Sequence, residues 1–130
     1  MTTFLENKFY SISEEHRNDD TQGYFIVNLI PDSEVYKGHF PGNPVCPGVC
    51  NIETIKECAC RLTKKSLFIK AIKQCRLTAV ATPAECPWLK INISLTDNND
   101  GTYMIVADVS NDKQTYMMLK GTLTDSITQL

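Results

Sequence analysis

The sequence contains no apolar run near the length needed to cross a bilayer, which excludes a membrane-spanning helix. Met1 to Tyr10 lacks the basic region and following apolar stretch of a secretory signal, so the cytoplasm is the expected location. There is no excess of positive charge. The 13 Lys and Arg stand against 15 Asp and Glu, a formal net charge of −2, and nucleic acid is not the expected main partner. Histidine is scarce, with 2 residues, and neither belongs to a His-x-x-x-His pair; no Cys-x-x-Cys pair occurs either. Without those spacings, no zinc or other metal site is expected. The cysteines Cys46, Cys50, Cys58, Cys60, Cys75 and Cys86 read as free, mostly buried thiols, since no export signal supports a disulfide framework. Repeats, low-complexity runs and interdomain linkers are missing too. What remains is one domain over residues 1–130, with 42% hydrophobic residues and length enough for one substantial core.

The apolar periodicity orders the elements. Lys8 to His16 and Tyr24 to Ile30 read as two strands, joined by turn chemistry from Arg17 to Gly23. Asp32 to Gly38 is a short connector. Pro47 to about Lys65 is the one long helix, with Val49, Ile52, Ile55 or Lys56, Ala59 and Leu62 as its apolar stripe and Cys58 and Cys60 extending the buried surface. Arg61, Lys64 and Lys65 close its last turns, where positive charge suits the helix dipole. Leu67 to Ala81 is a β-rich run ended by Pro83. Cys86 to Thr96 has Leu89, Ile91, Ile93 and Leu95 in strict alternation. Asp97 to Gly101 signals a hairpin into Tyr103 to Val109, and Gln114 to Leu123 completes a meander. Two strands, a helix and about four more strands make an α+β layout, one helix lying on a curved antiparallel sheet.

The chemistry concentrates in Gly38-His39-Phe40-Pro41-Gly42-Asn43-Pro44-Val45-Cys46-Pro47-Gly48-Val49-Cys50-Asn51-Ile52-Glu53. Pro41, Pro44 and Pro47 fix φ and remove amide donors, so Phe40 to Pro47 is a rigid loop. Pro47 suits the first helical position. Gly48 falls in the first turn, where backbone N–H groups are unpaired and no side chain blocks a ligand oxygen. His39 lies upstream and Glu53 about a turn and a half into the helix. An imidazole, a carboxylic acid and a free helix N-terminus can move protons around a polarised carbonyl.

This segment resembles the active-site segment of the 3-hydroxyacyl-[acyl-carrier-protein] dehydratases of fatty-acid synthesis. The family pattern is roughly His-Phe-Pro-Gly-x-Pro-Val-x-Pro-Gly, then three residues and Glu or Asp. His39, Phe40, Pro41, Gly42, Pro44, Val45, Pro47, Gly48 and Glu53 match it. The resemblance implies the hot-dog fold, a long central helix wrapped by a curved antiparallel sheet of about five to six strands. It implies dehydration of a carrier-bound 3-hydroxyacyl thioester to the trans-2-enoyl thioester. His39 would be the base, Glu53 the acid and the Gly48 N–H the donor to the thioester oxygen. Phe40, Val45, Cys46, Pro47 and Val49 would line the substrate site. No cofactor is implied. The implied partners are an acyl carrier protein and a second copy of the chain, in a homodimer or a trimer of dimers, with His39 and Glu53 meeting across the subunit interface.

Some residues depart from the pattern. Glu57 stands where glutamine is common, and a second carboxylate on that helix face would repel Glu53 or raise its pKa. Cys46, Cys50 and Asn51 are smaller or more polar than usual and bear on acyl-chain preference. Lys56, Arg61, Lys64, Lys65, Lys70, Lys73 and Arg76 form a basic run that reads equally as a solvated surface or as a steering patch for an acidic carrier protein. His16, outside any such context, reads as a surface residue. Two alternatives remain: an acyl thioesterase on the same fold, and a non-catalytic acyl- or carrier-protein-binding subunit. A dehydratase–isomerase is closer in kind, but Glu53 rather than aspartate leans away from it.

Overall fold

Leu89, Ile91, Ile93 and Leu95 alternate along one strand, and all four are buried, so one face of that strand is core. The computed structural model describes residues 4–35 and 48–126. Within them the order is β1 (Tyr10–Arg17), β2 (Gln22–Leu29), α1 (Gly48–Thr63), β3 (Phe68–Leu77), β4 (Trp88–Asp97), β5 (Thr102–Ser110) and β6 (Thr115–Thr124). The strands form one six-stranded sheet in the order β1-β2-β4-β5-β6-β3, antiparallel throughout. The α+β layout expected from periodicity is therefore the observed one.

Helix α1 lies on the concave face. Ile55, Cys58, Ala59 and Leu62 recur at helical spacing and are all fully buried. They meet Phe25, Val27 and Leu29 of β2, the four β4 residues, and Tyr103, Ile105, Ala107 and Val109 of β5 in one core cluster. The β4–β5 hairpin follows its sequence signal. Gly101 takes φ +86°, and the Asp97 carboxylate accepts from the Asn99 amide at 2.8 Å.

Most boundaries shift by one or two residues from the sequence reading, and those at β1, α1 and β3 bear on the packing. Strand β1 starts at Tyr10, and Phe9 and Tyr10 are both fully buried, which breaks the expected alternation. The amides of Lys8 and Phe9 both bond the Leu5 carbonyl, so a turn feeds the strand, and a bulge at Ile12/Glu14 shifts its register. Helix α1 ends at Thr63 rather than Lys65. Lys64 adopts φ +59°, and the Lys65 amide bonds the Cys60 carbonyl at 3.3 Å. This is a Schellman-type stop built without glycine, which is why composition did not mark it. Strand β3 ends at Leu77, four residues before the end of the apolar run.

The sheet's two edges are unlike. Strand β1 carries the N-terminal segment, which packs Leu5 against the core. Among the described strands β3 pairs only with β6, and from Lys70 to Leu77 it is exposed on both faces. Ile72 is 46% exposed in mid-strand and Leu77 60% at the strand's end, high values for large apolar residues. The free cysteines follow the sheet. Cys58, Cys60 and Cys86 are buried, Cys50 is half-buried, and Cys75 on β3 is exposed.

Candidate functional site

Of the residues singled out by sequence, His39, Phe40, Val45, Cys46 and Pro47 lie outside the described residues. Gly48, Val49 and Glu53 stand on the first two turns of α1. Gly48 opens the helix against β3 and β6. A Cβ added there would lie 3.3 Å from Leu77 Cδ1 and 3.9 Å from Met117 Cε. A larger residue would therefore have to displace Leu77, and glycine leaves the helix end bare.

Val49 corrects the expected buried stripe: it is 72% exposed. The stripe is continuous only from Ile55 onward, with Ile52 partly buried beside it. Among the described residues, nothing buries Val49 on the first turn, and periodicity alone could not distinguish core from an exposed apolar face.

Glu53 is neither solvated nor fully enclosed, with 27% of its side chain exposed. Its Oε2 is buried and lacks a well-directed hydrogen bond, although Lys56 Nζ lies 3.0 Å away as an ion-pair partner. Burial, and after it contact with Glu57, pushes the Glu53 carboxyl above its ordinary range, against the opposing pull of Lys56. The neighbouring Cys50 thiol is raised by burial and by the Glu53 charge.

Glu57, one turn on, is 2% exposed and well satisfied. Oε2 accepts from the amides of Phe4 at 2.8 Å and Leu5 at 3.0 Å. Oε1 accepts from the Glu6 amide at 3.1 Å and the Tyr10 hydroxyl at 2.8 Å. Burial alone would raise this carboxyl, but the bonds from Glu53, Phe4, Tyr10 and Leu5 outweigh it and hold Glu57 below the usual range. The two carboxyls are thus shifted in opposite directions; the sequence reading concerned only the raising of Glu53.

Lys56 corrects a second expectation. It is 7% exposed, paired with Glu53, and its ammonium sits 5.5 Å from the Phe4 ring centroid. Arg61 pairs with Glu6 and Glu15, and Lys65 donates to Tyr103 Oη at 2.6 Å. Their charged groups are engaged within the fold although Arg61 and Lys65 are exposed, and Lys64, Lys70, Lys73 and Arg76 complete the exposed part of the basic run. The Glu53–Lys56 pair was legible as an i,i+3 spacing. The Glu57 donors were not, because three of them come from residues 4–6. His16 is exposed as expected, stacked on Tyr24 with centroids 4.5 Å apart.

Comparison with known proteins bears on family and fold. Residues 15–117 match the ApeI-like family, described as ApeI dehydratase. A 3-hydroxyacyl-[acyl-carrier-protein] dehydratase FabZ from Levilactobacillus brevis is 35% identical over 119 residues, covering 84% of this chain and 80% of that protein. The FabZ of Pediococcus pentosaceus is 30% identical over 117 residues, covering 80% and 78%. Among solved structures, the dehydratase heterocomplex ApeI:P from Xenorhabdus doucetiae matches with TM-score 0.65 and 18% identity, over 95% of this chain and 99% of that one. A hypothetical thioesterase with coenzyme A from Streptococcus pneumoniae matches with TM-score 0.63 and 10% identity, over 92% and 89%. At those identities the structures speak for the fold, and it is the hot-dog architecture expected from the sequence.

Proposed function

This chain belongs to the ApeI-like dehydratase family, and from that premise we propose that it removes water from a 3-hydroxyacyl thioester held on an acyl carrier protein. The product is the trans-2-enoyl thioester. His39 takes the proton from C2, and that electron pair forms the C2–C3 double bond. The C3–oxygen bond breaks, and the departing hydroxyl takes a proton from Glu53 to leave as water. The Gly48 N–H bonds the thioester oxygen, where charge builds up in the transition state. The step is redox-neutral, and an acid, a base and a donor suffice for it.

The observation that carries this reading is the state of Glu53. A general acid working near neutrality must keep its proton, and Glu53 is a half-buried carboxyl held above its ordinary range, five residues after the bare helix end. Phe40, Val45, Cys46, Pro47 and Val49 are the proposed walls of the acyl site, and Val49 offers its apolar surface outward.

The proposed assembly pairs two copies through β3, as a homodimer that a trimer of dimers would repeat. Joining β3 to its counterpart would satisfy the unpaired edge and cover Ile72 and Leu77. The family resemblance, rather than any described contact, implies that His39 of one copy and Glu53 of the other would then meet. The exposed Lys64, Lys70, Lys73 and Arg76 carry charge of the sign that attracts an acidic carrier protein.

The test is incubation with 3-hydroxyacyl carrier protein of several chain lengths, read by mass spectrometry. Loss of one water from the acyl group, abolished in His39→Ala and Glu53→Gln, is the expected result. Release of free thiol would instead identify a thioesterase, and binding without turnover a non-catalytic subunit.

A further inference from the structure

The second carboxylate of α1 has no part in the elimination just described, yet it is among the most buried polar groups of the chain. Glu57, Glu53 and Lys56 sit within one helical turn. Glu57 and Lys56 are nearly inaccessible, and Glu53 buries Oε2. With both carboxyls ionised, this cluster would hold two negative charges and one positive in a poorly solvated place. With one proton bound, it is neutral, and a charge left unbalanced there would be costly.

The surroundings decide which carboxyl takes that proton. Three backbone amides and the Tyr10 hydroxyl all donate to Glu57. Amides cannot accept, so they favour the ionised form of Glu57. Among the described residues, Glu53 meets the Lys56 ammonium, in a contact that is not a well-directed hydrogen bond, and the Glu57 carboxyl itself. The remaining described groups facing the cluster do not reverse this, the Cys58 thiol being pushed up by burial. Glu6 is paired with Arg61, which also pairs with Glu15, while Cys50 and Cys60 are thiols raised by burial.

We infer that Glu57 is a positioning residue of this site: clamped by the amides of Phe4, Leu5 and Glu6 and by the Tyr10 hydroxyl, it orients the Glu53 carboxyl and keeps the transferable proton there. The role of that proton in dehydration rests on the function proposed above, but the coupling of the two carboxyls does not. The N-terminal segment thereby becomes part of the acid's tuning, although it lies about fifty residues from Glu53 in sequence. Glutamine at position 57 would keep the shape without the charge and would present an NH2 group to two of the four donors.

The test is a carbon-13 titration of the glutamate side-chain carboxyls in the resting protein, with no substrate. In the wild-type chain Glu53 is expected to titrate above the ordinary glutamate range. Glu53 and Glu57 should each show a two-step curve, the minor step of one mirroring the major step of the other. In Glu57→Gln the Glu53 midpoint should fall by about one pH unit, a tenfold weaker hold on its proton. A folded Glu57→Gln protein whose Glu53 midpoint does not move overturns the inference. Should that variant fail to fold, the wild-type curves decide: independent single steps at the two carboxyls overturn it as well. In activity, the alkaline limb of kcat/KM should move to lower pH in Glu57→Gln, since the acid would lose its proton sooner. Coupled titration in a chain that never forms enoyl product would sustain this inference and refute the proposed reaction.

Discussion

At the C-terminal end of α1, Cys58, Ala59 and Leu62 are fully buried by the chain's own sheet. At the N-terminal end, Val49 is 72% exposed, a Cβ added at Gly48 would meet Leu77 first, and Glu53 buries an oxygen that lacks a well-directed hydrogen bond. Among the described residues, the same helix is thus a finished core element at one end and a partly exposed one at the other. A helix stabilised by its far end can hold a poorly hydrogen-bonded acid at its near end, because the packing of the former offsets the cost of the latter. Glu57 stands at the junction. It accepts four hydrogen bonds from the N-terminal segment and Tyr10, while Glu53, one turn earlier, is partly exposed.

The largest expected effect separates activity from folding. Glu53→Gln should lower turnover by about a thousandfold, the scale of general acid catalysis, and change stability by no more than about 1 kcal/mol in urea unfolding. Glu57→Ala should do the reverse in kind. It strands three amides and a hydroxyl in a buried place and should cost about 3 kcal/mol of stability. Equal destabilisation by the two substitutions would erase the distinction between the two ends.

A second way to sharpen it is through β3. Leu77→Asp places a charge on an exposed residue of the free edge, where one chain alone should tolerate it. Sedimentation should report dissociation to single chains with the far-UV dichroism intact. Loss of fold instead of loss of association would show that Leu77 already belongs to a core within the chain.

The smallest effect is in the pH dependence of stability. Glu57 is held below its ordinary range, so its contribution is complete above the unfolded glutamate value and is lost as pH falls through the folded one. Glu53 is held above, so its contribution is present at pH below the unfolded value and is lost as pH rises through the folded one. Thermal melts across pH should therefore show a weaker acid-side loss in Glu57→Gln and a weaker loss toward neutral pH in Glu53→Gln. Parallel curves for all three proteins would contradict the opposite shifts.

Much of the finished end was legible in the sequence. The alternation at Leu89 to Leu95 and the spacing of Ile55, Cys58, Ala59 and Leu62 each report burial within one chain, and local periodicity is the direct imprint of such burial. The open end was legible as chemistry but not as geometry. Gly48 and Glu53 stood out by their spacing after the proline loop, yet Val49 was read as core because an apolar residue at helical spacing looks the same whether its cover comes from its own chain or elsewhere. Lys56 was read both as an alternative stripe position and as part of the basic run, and its contact with the Phe4 ring comes from across the chain. Glu57 was noticed as a departure, but its donors come from Phe4, Leu5, Glu6 and Tyr10, contacts across roughly fifty residues that no local pattern encodes. The stop at Lys64 escaped because its left-handed conformation is formed without the glycine that usually announces it.

The central claim is that a second copy completes the open end of α1 with the imidazole of His39. Subunit mixing tests it most directly. Equal amounts of His39→Ala and Glu53→Gln chains, each inactive alone, are allowed to exchange, with exchange verified by co-purification of two tags. Half of the resulting pairs are mixed and each mixed pair holds one intact site of two, so about one quarter of wild-type activity should return. Verified mixed pairs that remain as inactive as either parent would show that His39 and Glu53 do not meet across the interface.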